Sequence, residues 1–454
     1  MNILHYVMGI PPIREGGAIK YALDLAEKQA DYNQKVFLLY PGAIRGRKKV
    51  CIRKRNVKNG IKYFEIINPL PVPGAFGMCN EKYFTEKADK EVYYKFLKEN
   101  KIEMIHFHSL QGLHIELLDA ADELHINKVF TSHDYFGICP KTILLYRERI
   151  CHDIDWSKCA ECCDHPDSYA TLVRRQSHWF RGIVKCTFLF TLLEVVWKKI
   201  GKKTDIIPKE KKNDTGIRQT DYKELKNYYM EIFRRIDLMH YNSTVAQKVY
   251  EEFRGHHVFL LEGIMHSDII DKRKRRYCGD IIRFGYLGNG EVYKGFPILR
   301  EVLDKIYAEK KYNFFLNIYF QNDMDREYIV PHKRYQYSDI DDVFNDMDVL
   351  IVPSLCAETY GFVVLEAIMH GIPVVVTANV GAKDFLRNYK EIGIIVEPDK
   401  DNLESAILTL LSNKEKINKM NKNICNSSID LNFGVHTQKI LAVYRNLQKT
   451  NVKA

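Results

Sequence analysis

The feature that most constrains the fold is an alternation of short, continuously apolar runs with segments of helical periodicity. The runs occupy residues 2–8, 35–40, 104–108, 128–133, 238–242 and 257–261, and then 281–288, 314–320, 349–354, 373–377 and 393–396. Apolar strands separated by helices are typical of parallel sheets that helices cover on both faces. The sequence therefore predicts an α/β protein with doubly wound, Rossmann-like sheets.

Two series of runs are separated by the polar, basic stretch 271–276 (DKRKRR), whose composition suits an exposed linker. The chain has 454 residues, of which 46% are hydrophobic and 28% charged. This composition excludes disordered, collagen-like and disulfide-scaffold proteins, and the length allows two or three domains. We predict an N-terminal domain over 1–270, with an insert over 139–225, and a C-terminal domain over 280–430. Ligands bind at the carboxyl ends of strands in such sheets.

The charge is unevenly distributed along the chain. Lys and Arg number 68 against 58 Asp and Glu, which gives a formal charge of +10. Residues 45–58 hold eight basic and no acidic side chains, and residues 168–212 hold eleven basic and three acidic ones. Such clusters indicate an anionic surface, a phosphate-bearing ligand or an anionic lipid. A solvated basic face explains the first cluster equally well.

Neither end of the chain nor its interior suggests export or a membrane span. Residues 2–8 lack a charged region before them and are interpreted as a strand, not as a signal peptide. No run of about 18 uninterrupted apolar residues occurs, so we expect no spanning helix. We therefore expect a cytoplasmic protein, either soluble or peripheral on the inner face of the membrane.

A pair of carboxylates flanks a glycine after the run 349–354, in the segment Glu358-Thr-Tyr-Gly-Phe-Val-Val-Leu-Glu366. Gly361 stands where a helix should begin, so the backbone can approach a ligand closely and free amides can meet a phosphate. Glu366, two turns into the helix, would reach vicinal hydroxyls such as those of a ribose. Glu358 would face whatever is attached to the far phosphate. A generic strand–loop–helix with two solvated carboxylates is the alternative that this segment alone leaves open.

The segment 349–384 resembles the donor-binding core of retaining glycosyltransferases of family 4, whose signature is E-x7-E followed by a G-x-P-V-V strand and a Gly-containing loop. Three more segments resemble that family in the same order along the chain: Gly16-Gly17-Ala18, His133-Asp134, and 288–295 (GNGEVYKG). The resemblance covers both domains except roughly 139–230. It implies the GT-B fold, in which two doubly wound Rossmann-like domains face a cleft. It also implies that a final helix within 431–454 crosses back to the N-terminal domain.

The resemblance also implies roles for individual residues. Glu366 would bind the nucleotide ribose, and Glu358 would bind hydroxyls of the transferred sugar. Lys294 would neutralise the diphosphate leaving group, and His133 would lie near the sugar and the acceptor oxygen. The diphosphate would meet backbone groups of the donor loop and of the first glycine loop, which are Gly361, Phe362, Val363, Val364 and Leu365, and Gly16 and Gly17. A fixed cation and helix-terminal amides lower the barrier to departure of a diphosphate, so no catalytic metal is expected.

Two positions depart from the family. Asn289 stands where the family usually has an Arg, so half of the Arg/Lys diphosphate clamp is missing from its expected place. Either another basic residue substitutes for it, or activity is weak or absent. Asp384 replaces the commoner Glu of the later glycine loop. The pairs Asp323/Asp325 and Asp346/Asp348 mimic a metal-binding DxD motif; we interpret both as chance matches, the second as the cap of a preceding helix.

Cysteines cluster in the insert. Cys139, Cys151, Cys159 and Cys162 have the spacing C-x11-C-x7-C-x2-C. Because a cytosolic chain rarely uses disulfides, this cluster predicts a metal site, and four thiolates suit a structural zinc. Cys163, His152 and His165 are substitute ligands. An iron–sulfur cluster and reduced thiols without metal are the alternatives.

The insert continues into an amphipathic, basic segment over 169–203. Six residues recur at helical spacing, namely Trp179, Ile183, Cys186, Phe190, Leu193 and Trp197, and basic residues bracket them. Such a helix can lie in a membrane interface and bring the site to a lipid-linked acceptor. A helix pair that packs on the first domain explains the pattern equally well. Because no recognition module accompanies it, we expect no nucleic-acid partner.

The resemblance implies a retaining hexosyltransferase. Its donor would be a nucleoside-diphosphate sugar, and its acceptor a hydroxyl of a glycan or a lipid-linked glycan. Bacterial surface polysaccharide assembly, of lipopolysaccharide or capsule, is the pathway that the family analogy suggests. The alternatives are a non-catalytic nucleotide-sugar-binding subunit, which Asn289 motivates, a membrane-surface scaffold, and a GT-B epimerase or phosphorylase. The sequence does not identify the base, the sugar or the acceptor.

Overall fold

A computed structural model of the chain describes residues 1–46, 49–152, 156–163, 166–185, 221–254, 258–320 and 326–451. The chain divides into two compact units. The first comprises Met1–Thr142, Ile154–Met239 and Thr437–Ala454. The second comprises Ile143–Asp153 and His240–His436.

The first unit alternates strands and helices as the apolar runs predict. Its strands are β1 (Asn2–Tyr6), β2 (Lys35–Pro41), β3 (Cys51–Lys58), β4 (Ile61–Ile67), β5 (Met104–Phe107) and β6 (Asn127–Thr131). Its helices are α1 (Gly17–Asp31), α2 (Lys90–Glu99), α3 (Glu116–Glu123), α4 (Trp156–Cys162), α5 (Tyr169–Arg175), α6 (His178–Lys185) and α7 (Tyr222–Arg234).

The strands of this unit follow the order β6-β5-β1-β2-β4-β3. All neighbours are parallel except β3, which runs antiparallel to β4 at the edge. Because β1 lies between β5 and β2, the strand order reverses beside it, and the loops after β1 and β5 leave from the same edge. This reversal is the place where open α/β sheets bind ligands. Four of the eight basic residues of 45–58 lie in β3, whose side chains are largely exposed, and charges on an edge strand discourage pairing with other chains.

The second unit contains the remaining elements. Its strands are β7 (Leu145–Tyr146), β8 (Arg149–Ile150), β10 (Phe259–Leu261), β11 (Ile282–Tyr286), β12 (Phe314–Ile318), β13 (Ile329–Pro331), β14 (Val349–Val352), β15 (Val374–Thr377) and β16 (Gly393–Val396). Its helices are α8 (Thr244–Arg254), α9 (Phe296–Ala308), α10 (Ile340–Asn345), α11 (Phe362–Met369), α12 (Lys383–Arg387), α13 (Lys400–Ser412) and α14 (Lys414–Asn426). Strand β9 (Leu238–Tyr241) and helix α15 (Phe433–Asn451) run across the unit boundaries.

The main sheet of the second unit is parallel throughout, in the order β13-β12-β11-β14-β15-β16. Numbered along the sheet's own chain order, this is 3-2-1-4-5-6, the doubly wound Rossmann order, with its reversal between β11 and β14. Phe284, Leu316 and Val349 of the three central strands are almost or completely buried in its core. The predicted α/β class with two Rossmann-like, parallel-sheet domains is confirmed.

The basic stretch 271–276 is not the exposed linker that its composition predicts. The Arg273 side chain is 12% exposed, and its Nη1 donates to the carbonyl oxygens of Ile424 and Ser427 at 3.1 and 3.0 Å. The Nη1 of Arg276 donates to the Phe344 carbonyl at 3.0 Å. These arginines therefore tie the stretch to the helices of the second unit, because the carbonyls at helix ends need donors.

Gly295 is fixed by a close approach of two backbones. Its φ is 75°, and a Cβ there would lie 1.8 Å from the Pro353 carbonyl oxygen.

We expect Gly295→Ala to lower the free energy of urea unfolding by at least about 2 kcal/mol, because the left-handed backbone and the clash with the Pro353 backbone both destabilise the variant. Gly279→Ala is the matched control, since a Cβ there meets nothing within 4 Å. Equal stabilities of the two variants would contradict this packing.

Candidate functional site

Two loops meet where the strand order of the second sheet reverses. The backbone amides of Leu355 and Cys356, after β14, donate to the Tyr293 carbonyl at 3.0 and 3.2 Å. Tyr293 lies in the 3-10 turn Val292–Lys294 that follows β11. These bonds, with the Gly295–Pro353 approach, fix Lys294 beside the loop that carries Glu358.

Lys294 and Glu358 form an ion pair at this junction. Lys294 Nζ donates to Glu358 Oε1 at 2.8 Å, and Ser354 Oγ donates to Glu358 Oε2 at 2.6 Å. Burial alone would raise the pKa of Glu358, but the charge of Lys294 and these hydrogen bonds lower it below its usual value. The same pairing, against the effect of burial, raises the pKa of Lys294. The side chains keep 29% and 17% exposure, so a ligand can reach a pair that is fully charged at neutral pH.

The N-terminus of α11 adds positive potential to the junction. Gly361 has φ 101° and ψ 70°, and among the described residues no side chain caps the helix. A Cβ on Gly361 would lie 3.0 Å from Val380 Cγ1, so the loop is tight as well as left-handed. Val364 N–H donates to the Gly361 carbonyl at 3.1 Å, whereas the first-turn amides of Phe362 and Val363 have no intrahelical partner. Such amides and the helix dipole favour an anion.

Glu366 faces a cavity of about 220 Å³ within the second unit. His266 Nε2 lies 2.9 Å from Glu366 Oε1, and Nδ1 of the same buried ring has no partner in the described part of the chain. Burial and the Glu366 carboxylate raise the pKa of Tyr337, which also lines the cavity. The cavity thus offers a carboxylate and a phenol to a polar ligand.

Asn289 is exposed beside the Lys294 turn. Its Nδ2 donates to Tyr293 Oη at 2.9 Å, and its carbonyl accepts from Tyr286 Oη. The side chain supplies no charge at the position where the resemblance implies an arginine.

In the first unit, His133 ends a row of buried imidazoles. His133 Nε2 lies 3.1 Å from His108 Nδ1, and His108 Nε2 lies 2.9 Å from His5 Nδ1. His5 Nε2 lies 2.8 Å from Gln29 Oε1. Burial lowers the pKa of His5 to about 4, so that ring is neutral at pH 7. The arrangement links the partly exposed His133 to the interior of the sheet.

His5, His106 and His108 are not among the site residues that the sequence predicts. A signal was present, since His5 and His106 both lie inside apolar runs, where histidine is uncommon. Parallel pairing of β1 with β5 places His5 directly opposite His106. In the described part of the chain, His5, His106 and His108 are the group whose ligand atoms all lie within 4.8 Å of one another. His106 Nε2 lies 2.6 Å from Thr131 Oγ1, so hydrogen bonding already accounts for this ring.

The four cysteines predicted as metal ligands are divided between the two units. None of the ten described cysteines forms a disulfide. Cys159 and Cys162 lie in α4, while Cys139 follows β6 in the same unit and Cys151 belongs to the second unit. A hydrogen bond with Cys162, together with burial, raises the pKa of Cys163. A metal site of Cys139, Cys151, Cys159 and Cys162 stays a prediction.

The other predicted segments have varied outcomes. Gly16 (φ 139°) precedes α1, which begins at Gly17, and both are exposed. Asp346 is the C-cap of α10, and Asp348 pairs with Arg283 at 2.7 Å, so both have structural partners. Asp323, Asp325 and the part of the amphipathic segment over 186–203 lie outside the described residues. Among all the residues that the structure describes, no helix is both long and apolar enough to cross a bilayer.

Comparison with known proteins places this geometry in context. Residues 326–426 match the family "Glycosyl transferases group 1". Two solved structures share the architecture of the whole chain. Sucrose-phosphate synthase from Thermosynechococcus elongatus has a TM-score of 0.58 at 14% identity and covers 99% of both chains. Anabaena HepE in complex with UDP and glucose has a TM-score of 0.53 at 12% identity and covers 100% of this chain and 99% of its own. The fold is GT-B. At these identities the likeness concerns the fold alone.

A curated sequence relative matches a short part of the chain. A probable sucrose-phosphate synthase of Arabidopsis thaliana is 36% identical over 87 residues, which are 18% of this chain and 8% of the plant protein. The matched segment therefore spans less than a tenth of that relative's length.

Asp134 lies next to His133, after β6 of the first unit, and its raised pKa can be tested. Its Oδ1 accepts from Phe136 N–H at 2.9 Å, yet burial raises its pKa to about 6. The folded state therefore binds more protons than the unfolded state between about pH 4 and pH 6, and the wild type gains relative stability as the pH falls through 6. We expect Asp134→Asn to be more stable than wild type at pH 7, with an advantage that shrinks by about 1 kcal/mol at pH 5.

Urea unfolding at both pH values measures this difference. Asp31→Asn, at a side chain 65% exposed in the same unit, is the control and should show no such pH dependence. An advantage of Asp134→Asn that is equal at pH 7 and pH 5 would contradict the raised pKa.

Proposed function

We propose that this chain is a retaining glycosyltransferase that moves a sugar from a nucleoside-diphosphate sugar to a hydroxyl of a glycan or lipid-linked glycan. The observation that carries the proposal is the Lys294–Glu358 pair beside the uncapped N-terminus of α11. This arrangement combines a fixed cation, backbone donors and a carboxylate at the switch point of a Rossmann sheet. Glu358 and α11 also lie inside the segment that matches glycosyl transferases group 1.

The donor would bind along the second sheet. Its diphosphate would accept from Lys294 and from the amides of Phe362 and Val363, while Glu366 would accept from the ribose hydroxyls. The cavity beside Glu366 has polar groups suited to such hydroxyls. That Anabaena HepE is a complex with UDP supports a nucleotide ligand for this fold, without identifying the base here.

The transfer would proceed on one face of the sugar. The bond between the anomeric carbon and the β-phosphate oxygen breaks, and its electron pair stays on the phosphate, where Lys294 and the helix amides stabilise the growing charge. The acceptor oxygen forms the new bond to the anomeric carbon on the same face, and its proton passes to the departing phosphate. Glu358 would hold sugar hydroxyls, because Lys294 and Ser354 leave lone pairs on both of its oxygens.

The acceptor would be handled by the first unit. His133 is partly exposed, and its imidazole is oriented by His108, so it can accept or donate a hydrogen bond at the reacting hydroxyl. The family analogy and the amphipathic, basic sequence of 169–203 favour a surface-polysaccharide acceptor, assembled at the cytoplasmic face of the membrane.

Asn289 favours a second candidate function. Because it supplies no charge to the diphosphate, the chain could bind a nucleotide sugar without turnover, as a subunit of a glycan-assembly complex. Binding and catalysis must therefore be measured separately.

The Lys294→Met variant tests the catalytic role. The base is first chosen by thermal shift with UDP, GDP, ADP, CMP and dTDP, and release of that nucleotide from its sugar conjugates is then followed. We expect Lys294→Met to lower turnover by about 10²- to 10³-fold, because a charge on the leaving group loses its partner. Lys305→Met, at a lysine that is 63% exposed on α9, should behave as wild type. Wild-type turnover in Lys294→Met would contradict the mechanism, and tight binding without turnover in the wild type would favour the second candidate.

The proposed contact between Glu366 and the ribose is tested by a thermodynamic cycle, in which a protein variant is combined with a modified nucleotide. If Glu366 accepts from the ribose, Glu366→Gln and a nucleotide without 2′- and 3′-hydroxyls should each weaken binding about tenfold, and their combination should weaken it little further. Calorimetry on the four combinations gives the coupling, and Glu391→Gln, at a side chain that is 48% exposed in the same unit, is the surface control. Fully additive losses would exclude a contact between Glu366 and the ribose.

A further inference from the structure

Three loops of the first unit converge around Arg14. Arg14 lies between β1 and α1, two residues before Gly16, and its Nη2 donates to the Val72 carbonyl at 3.0 Å. Val72 lies in the loop after β4, and its N–H donates to Gln176 Oε1 at 2.7 Å. Gly74 N–H donates to Gln111 Oε1, after β5, at 2.9 Å. Because β1, β4 and β5 are parallel, these loops share the ligand-binding edge of the sheet.

Arg175 lies beside Phe76, in the loop that carries Gly74. A Cβ added to Gly74 would lie 4.0 Å from Arg14 Nη1 and 3.9 Å from Phe76 Cδ2. The Arg175 guanidinium lies 5.5 Å from the centre of the Phe76 ring. One exposed aromatic ring thus lies against both the Gly74 loop and Arg175. Gln176, the next residue along the chain, is bound to the same Val72 that holds Arg14.

Two acidic groups beside these arginines are already paired. Asp167 pairs with Arg175. Glu65, 2% exposed, pairs with Arg181 at 2.9 Å and with Arg55, and also accepts from Ala43 N–H at 3.1 Å. In the described part of the chain, Arg14 has a backbone carbonyl as its hydrogen-bond acceptor and no carboxylate. Of four guanidinium groups on these segments (Arg14, Arg55, Arg175 and Arg181), three pair with the carboxylates of Glu65 and Asp167, and Arg14 pairs with neither.

This excess of positive charge has an electrostatic cost that an anion would remove. Burial, together with the charges of Arg181 and Arg175, lowers the pKa of Arg14 to about 10. Arginine presents a planar fork that matches phosphate oxygens, and a partly buried, unpaired guanidinium gains most from such a partner. The Nη1 and Nε groups of Arg14 are the donors that remain for it.

We propose that Arg14, supported by Arg175 and Arg181, binds a phosphate group of the acceptor. This inference rests on the proposed function and deepens it, because it assigns the acceptor to molecules that carry a phosphate or diphosphate. The phosphate would lie at the edge of the first sheet and present an adjacent hydroxyl for transfer. Inorganic pyrophosphate and a lipid headgroup share this chemistry.

The test measures phosphate binding without any donor. All variants carry Lys294→Met, which weakens the proposed diphosphate site of the second unit, and pyrophosphate is titrated by calorimetry. Arg14→Gln should bind at least tenfold more weakly and Arg14→Lys less than threefold more weakly than the parent. Arg234→Gln, at an arginine that is 70% exposed in the same unit, should equal the parent. Thermal unfolding of each variant shows whether it is folded.

A second arm separates the two sources of phosphate. The same variants are sedimented with vesicles of phosphatidylglycerol and, as the neutral comparison, phosphatidylcholine. Pyrophosphate binding that depends on Arg14 supports a soluble or head-group-exposed phosphate, and vesicle binding alone that depends on Arg14 supports a phosphate held in lipid. Folded Arg14→Gln that binds both probes like its parent, or a parent that binds neither, would overturn the proposal. Neither result depends on nucleotide binding, so failure of the donor site is seen separately in the Lys294 and Glu366 experiments.

Discussion

The ion pair of Lys294 and Glu358 lies where the chain must bring two loops together, and the geometry around it has little freedom. Leu355 and Cys356 bind the Tyr293 carbonyl, and Gly295 lets the Pro353 backbone come close enough for Lys294 to reach Glu358. Lys294 is thereby held charged without a ligand. A diphosphate that arrives there meets a cation whose position costs nothing further to fix, which is the requirement for electrostatic stabilisation of a leaving group.

The corresponding edge of the first sheet is built differently. Around His133 the rings are buried and linked to one another, and burial keeps His5 neutral, so this region can orient a hydroxyl without repelling it. Around Arg14, guanidinium groups outnumber carboxylates. One sheet edge therefore offers neutral hydrogen-bonding groups and unpaired positive charge in separate places, which suits an acceptor with a reactive hydroxyl and an anionic group.

Much of the fold could be predicted because its causes are local. The apolar run 349–354 became β14, and Gly361 has the left-handed backbone that its place before a helix suggests. The histidine row could not be predicted in the same way, because His5, His108 and His133 meet only through the strand order β6-β5-β1. The basic composition of 271–276 predicted that Arg273 would be exposed to solvent. Its side chain instead donates to carbonyl oxygens at the end of a helix. The Arg14 cluster likewise depends on loops that are far apart in sequence.

A crystal structure with the nucleoside diphosphate that the chain binds best tests the central claim most directly. The account predicts the terminal phosphate within hydrogen-bond distance of Lys294 Nζ and of the amides of Phe362 or Val363, with the ribose hydroxyls at Glu366. A nucleotide bound with its diphosphate away from Lys294, while the Lys294–Glu358 pair is unchanged, would contradict it.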